Sequence, residues 1–72
     1  MTSPASQALQ KRVATKIRAI LKKRKKSAEK LALELEISVS YFYAFLNGRK
    51  GITLETISRI AEGLDVDPKE FF

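Results

Sequence analysis

Twenty residues, 28–47 (AEKLALELEISVSYFYAFLN), constrain the fold more than any other part of this sequence. A small residue, Ala32, is followed ten residues later by a bulky apolar one, Phe42, and a short break, Glu36-Ile37-Ser38, lies between them. Leu31, Leu35, Ile37 and Phe45 fill the other positions that two short helices must bury when they cross steeply. Ala32 is small where the second of these helices passes close. Ser38 is placed to cap that helix with its hydroxyl. The spacing predicts helices over about 28–35 and 39–46, joined by a tight turn.

Composition then narrows the function classes. A chain of 72 residues reads as one domain. A domain this small buries only about 60% of the surface its unfolded chain exposes, so its core is thin. Cysteine and histidine are both absent, which removes a disulfide framework, a thiolate metal site and the usual general base. No run of eighteen apolar residues occurs, and residues 1–6 (MTSPAS) lack the apolar core of a signal peptide. The expectation is a cytoplasmic protein with a disordered lead-in over 1–6.

The net charge of +6 is segmental. Residues 1–28 hold nine basic side chains and no acid, whereas residues 29–72 hold five basic and eight acidic ones, a net of −3. That asymmetry favours a polyanionic partner. Asp65/Asp67 and Glu34/Glu36 are the paired carboxylates, and both pairs read as solvated charge near helix ends, without a base or a ligand set. No enzyme, metal, cofactor or small-molecule substrate is expected.

Helical periodicity covers most of the rest. Leu9, Val13, Ile17, Ile20 and Leu21 recur at spacings of three and four, which predicts a first helix over about 7–25. Ser27 is a good cap for the second helix, with Glu29 in its first turn facing the positive dipole end. Asn47-Gly48 ends the third helix, and Arg49-Lys50-Gly51 forms a loop. Thr53 caps a fourth helix over about 54–62, whose buried face is Leu54, Ile57, Ile60, Ala61 and Leu64, with Gly63 at its end. Asp67-Pro68-Lys69-Glu70 starts a short fifth helix over about 68–71 in a capping-box arrangement. No segment alternates as a strand does. The fold class is all-α, a compact five-helix bundle containing a helix-turn-helix, with residues 7–72 as the folded domain.

Taken in order, these pieces resemble a known family. Ile17–Phe72 looks like the lambda-repressor-like helix-turn-helix domain, the Cro/CI or XRE type of prokaryotic and phage regulators. The resemblance rests on Ser27, Leu31-Ala32, Ile37-Ser38, Tyr41-Phe42, Asn47-Gly48 and the run TLETISRIAEGLDV. The closing DVDPKEFF resembles the tail of restriction–modification controller proteins, and small antitoxins of this fold also fit. Five positions depart from the family pattern. Glu36 and Lys25 stand where glycine is usual. Leu21 and Leu46 replace a frequent Arg–Glu ion pair, which predicts an apolar contact between them. Ala28 replaces a frequent glutamine that binds phosphate or base.

The resemblance implies a sequence-specific double-stranded DNA-binding regulator, with the third helix in the major groove. Phe42, Phe45 and Leu46 face the core, so Val39, Ser40, Tyr43, Ala44 and Asn47 lie outward, where the family's matching positions meet base edges. Candidate phosphate contacts are Lys25 and Lys26 before the second helix, Ser27 at its start, Arg49 and Lys50 after the third, and Tyr41, which equally well closes the core edge. Leu64, Val66, Phe71 and Phe72 offer more apolar surface than so small a core hides, which predicts a homodimer on a two-fold operator. The alternative is an antitoxin or other protein-interaction module on the same fold. A membrane-surface helix over residues 9–26 ranks lower, because that segment lacks Trp and Phe.

Overall fold

The computed structural model describes residues 4–72, with side-chain surroundings from Gln7 onward. Four α-helices and one 3₁₀ helix follow in order: α1 (Pro4–Lys23), α2 (Ala28–Glu34), α3 (Val39–Leu46), α4 (Leu54–Leu64) and the 3₁₀ helix Pro68–Phe71. No strand occurs among the described residues. The first helix begins three residues earlier than its pattern suggests. Residues 4–6 belong to α1, whose first position is Pro4, a residue with no N–H to leave unpaired there. Residues 1–3 of the expected lead-in lie outside the described residues. The helix also stops two residues earlier than its pattern suggests, at Lys23.

The caps fall where the sequence places them. Ser27, Ser38 and Thr53 each accept a bond from the backbone N–H three residues on, at Lys30, Tyr41 and Thr56. Such a cap satisfies one of the orphan donors at a helix start and contributes about 1 kcal/mol. Asp67 accepts from Lys69 N–H at 2.9 Å. Beyond it the chain closes i→i+3 bonds, Glu70 N–H to Asp67 and Phe72 N–H to Lys69. That tighter winding makes the expected fifth helix a single 3₁₀ turn.

All four α-helices end in the same motif. After α1, Lys26 N–H bonds back to Leu21 and Lys25 N–H to Lys22; equivalent pairs of bonds close α2, α3 and α4. This double closure is a Schellman motif, and it needs one residue in the left-handed region. Gly48 supplies it after α3, but Lys25, Glu36 and Asp65 supply it elsewhere at φ near +55 to +58°. Lys25 and Glu36 therefore take the strained conformation that the family's usual glycine would adopt freely, at roughly 1 kcal/mol each. Gly63 is not the terminator of α4. It lies inside the helix, and a Cβ there would stand 2.7 Å from Leu35 Cδ2, so its role is close approach of α4 to the end of α2.

The core is contributed by every element: Val13, Ile17 and Leu21 from α1, Leu31 and Ala32 from α2, Phe42, Phe45 and Leu46 from α3, Ile57, Ile60 and Leu64 from α4, and Phe71 from the 3₁₀ turn. Ala32 and Phe42, the pair that defines the motif, are both fully enclosed. Leu21 and Leu46 are both buried, and they line one groove between α1 and α3. Leu9 and Leu54 depart from expectation: both are exposed, Leu54 to 73%. Leu54 sits at the first position of α4, one turn before the buried Ile57, and nothing from another element covers that end. Arg59 on α4 donates to the Leu35 carbonyl and so caps the end of α2 from outside.

Candidate nucleic-acid interface

Burial on α3 divides its residues cleanly. Phe42, Phe45 and Leu46 point inward, Ser40, Tyr43 and Asn47 are exposed, and Val39 and Ala44 are half-buried. Helical geometry requires this split, because residues three and four apart share a face. The five residues marked out for base readout therefore lie together on the outward side. Tyr43 is 38% exposed, an aromatic ring on a surface otherwise made of small side chains.

Asn47 differs from the other four. Its Oδ1 accepts a bond from Arg18 Nη2 on α1, 2.9 Å away. The side chain is exposed yet fixed. Arg18 is a residue that the sequence alone did not single out; only its register with Lys11 and Lys22, seven before and four after, puts it on the α1 edge beside α3. A polar link between the first helix and the end of the third thus exists here, displaced from the apolar Leu21 and Leu46.

The expected phosphate contacts are placed unevenly. Lys25, Ser27, Arg49 and Lys50 are exposed. Lys25 is held by the turn after α1, and Arg49 by its N–H bond to the Ala44 carbonyl, so both backbones are fixed beside α3 or α2. Arg18, Lys22, Lys26 and Ser27 line, with Tyr43, a shallow groove over Leu21 and Leu46. Lys26 is not a free cation in it: its Nζ donates to Glu34 Oε1 at 2.7 Å. That bond and the Lys26 charge hold the Glu34 carboxyl below its ordinary value of 4.5, with Lys30 adding to the effect. Tyr41 is likewise engaged. Its hydroxyl donates to the Gly51 carbonyl at 2.9 Å and ties the loop after α3 back to the helix. The second of the two roles open to Tyr41 is the one this geometry fits.

The residues expected to form a dimer surface separate as well. Leu64 and Phe71 are fully enclosed by the chain's own core, so they cannot supply exposed surface. Phe72 remains 41% exposed, and Val66, six residues earlier, is half-buried. No helix among the described residues is long and apolar enough to cross a membrane.

Comparison with known proteins agrees with this architecture. The crystal structure of the restriction–modification controller protein C.AhdI from Aeromonas hydrophila superposes with a TM-score of 0.83 at 26% sequence identity, covering 92% of this chain and 96% of that one. No curated protein matches the sequence. The helix-turn-helix family profile HTH_3 matches residues 17–71, which spans the end of α1, the capped α2–α3 pair, α4 and the 3₁₀ turn. With its crossing pair of helices in place and most of its length matched, the chain belongs to the helix-turn-helix family.

Proposed function

We propose that this chain is a DNA-binding transcriptional regulator that lays α3 in the major groove and reads a specific duplex site. The observation that carries the reading is the outward face of α3, with Val39, Ser40, Tyr43, Ala44 and Asn47 presented together above a fully packed inner face. A short helix projecting such a face fits the groove and places side chains against base edges. The charge supports it, since α1 and the turn after it carry nine basic residues and no acid. Lys25, Ser27, Arg49 and Lys50 then meet phosphates on either side of α3, where they fix register without reading sequence. The likeness to a restriction–modification controller protein supports that role, or that of a phage-type repressor, in the cytoplasm of a prokaryotic cell.

The regulator acts as a homodimer on a two-fold operator, with Phe72 and Val66 meeting their counterparts in the second copy. Leu64 and Phe71 support that surface from beneath rather than forming it. Selection of bound sequences from random duplex DNA tests the whole reading. An enriched palindrome supports it and gives the half-site spacing; recovery of no sequence overturns it.

A further inference from the structure

Residues 1–28 hold nine basic side chains and no acid, and helical register sorts those of α1 into two flanks. Lys11, Arg18 and Lys22 follow one another at spacings of seven and four, so they share one stripe. That stripe borders α3. Arg18 lines two grooves at the α1–α3 seam, one shared with Lys11 and Asn47, the other with Lys22 and Tyr43. No acidic side chain lines either groove. Arg12 and Lys16 lie more than a quarter turn round the helix from Lys11 and line neither.

Arg18 is held in place without being neutralised. Its side chain is exposed, and Nη2 donates to Asn47 Oδ1 at 2.9 Å. A guanidinium carries five N–H donors, so one bond to a neutral amide leaves its charge and most of its donors for another acceptor. Among the described residues the one ion pair joins Lys26 to Glu34, so Lys11, Arg18 and Lys22 keep their charge unpaired. From Lys11 to Lys22 the stripe rises about 16 Å along α1. A duplex strand carries one phosphate for about every 3.4 Å of its axis, so a ridge of that length runs past several. With the outward face of α3 in the major groove, α1 packs beside α3 and meets the backbone that walls the groove. Resting on the reading of that face as a DNA reader, we propose that the α1–α3 seam is a further phosphate-binding surface, in which Arg18, held by Asn47 and flanked by Lys11 and Lys22, grips the strand bordering α3. Arg18 fixes the register of α3 through the backbone and reads no base.

The experiment measures binding of the full chain to a selected duplex and to a random one across a salt series, with Arg18→Met, Arg18→Lys, Lys22→Met and Arg12→Met beside the unmodified protein. Arg18→Met should weaken both duplexes alike, by about tenfold for each bound copy at low salt. It should also flatten the slope of log K against log salt by about 0.9 for each phosphate released. Lys22→Met, which has no bond to Asn47 to lose, should flatten the slope as well. Arg18→Lys keeps the charge and should restore most of it. Arg12→Met removes the same charge from the other flank of the helix and should leave the slope unchanged. The proposal is overturned if Arg18→Met and Lys22→Met keep the unmodified slope, because a loss of affinity without a change of slope gives Arg18 a structural role only. It is overturned too if Arg12→Met flattens the slope as much as they do. Selection of bound sequences by Arg18→Met that loses preference at one base pair and spares the rest makes Arg18 a base reader and overturns it again. In each of these cases the DNA reading stands, whereas an unmodified protein that binds no duplex overturns both.

Discussion

The Tyr41 hydroxyl donates its proton to the Gly51 carbonyl, 2.9 Å away. It thereby binds the loop of Arg49 and Lys50 to α3 from within the protein. Tyr41→Phe should lower stability by about 1 kcal/mol, the usual net worth of one such bond. Urea denaturation measures this. The salt dependence of DNA binding should not change; a shallower slope would instead make Tyr41 a phosphate donor.

Strain at two helix ends is removable. Lys25 and Glu36 close Schellman motifs at φ of 55° and 58°. Glu36→Gly should raise the unfolding free energy by about 1 kcal/mol, and Lys25→Gly by a similar amount. Gly48→Ala should lower it comparably, because Gly48 sits at φ 79° with open space around it, so only the backbone objects. Denaturation midpoints at constant m-value check all three.

Tyr43 has the exposure of a reader, and its neighbours Phe42 and Phe45 have the burial of a core. Tyr43→Ala should cost roughly 1–3 kcal/mol on the preferred site, little on random DNA, and nothing in cooperativity of unfolding. Paired binding and melting curves decide it. Equal weakening on both DNAs would show that α3 is oriented differently on the duplex.

Affinity for any duplex should fall steeply with salt. If about four to eight phosphates per dimer are neutralised, log K falls with log salt at a slope near −4 to −7. Arg49→Ala or Lys50→Ala should weaken all sequences similarly and flatten the slope by about one unit for each phosphate left without its cation. Titrations across a salt series provide the check, and a flat response in the unmodified protein contradicts phosphate binding by this surface.

The Lys26–Glu34 bridge carries a pH signature. Glu34 has a lowered folded-state pKa, chiefly through the hydrogen bond from Lys26. The folded state therefore binds this proton less readily than the unfolded chain. Its contribution to stability is complete above the ordinary value of 4.5 and disappears as pH falls through the lowered one. Glu34→Gln should remove that part of the acid dependence. Comparing thermal melts of the two proteins below and above pH 4.5 tests it, and superimposable pH profiles would mean that the pair does not form in solution.

The elements whose cause is local were legible in the sequence. Ser27, Ser38 and Thr53 cap because a hydroxyl reaches an N–H three residues on, which depends on a few neighbouring dihedrals and on nothing distant. Ala32 and Phe42 announce the crossing of α2 and α3, because a short turn leaves those helices only one way to bury both. The outward face of α3 follows from the same periodicity. What the sequence left open depends on which distant atoms the fold brings within 3 Å. Leu64 and Phe71 are apolar residues that core and interface would equally accept, and only the packing of the 3₁₀ turn against α1 and α4 assigns them to the core. Leu54 fits the apolar period of α4, yet no element reaches over it. Lys26 looks like a free cation until Glu34 arrives beside it, and Tyr41 a phosphate donor until Gly51 does. Arg18 is one basic residue among nine in its segment, and its bond to Asn47 spans 29 residues that no periodicity connects. Helix starts and buried faces are short-range consequences of residue type, whereas the partners of charged and hydroxyl groups are set by tertiary proximity alone.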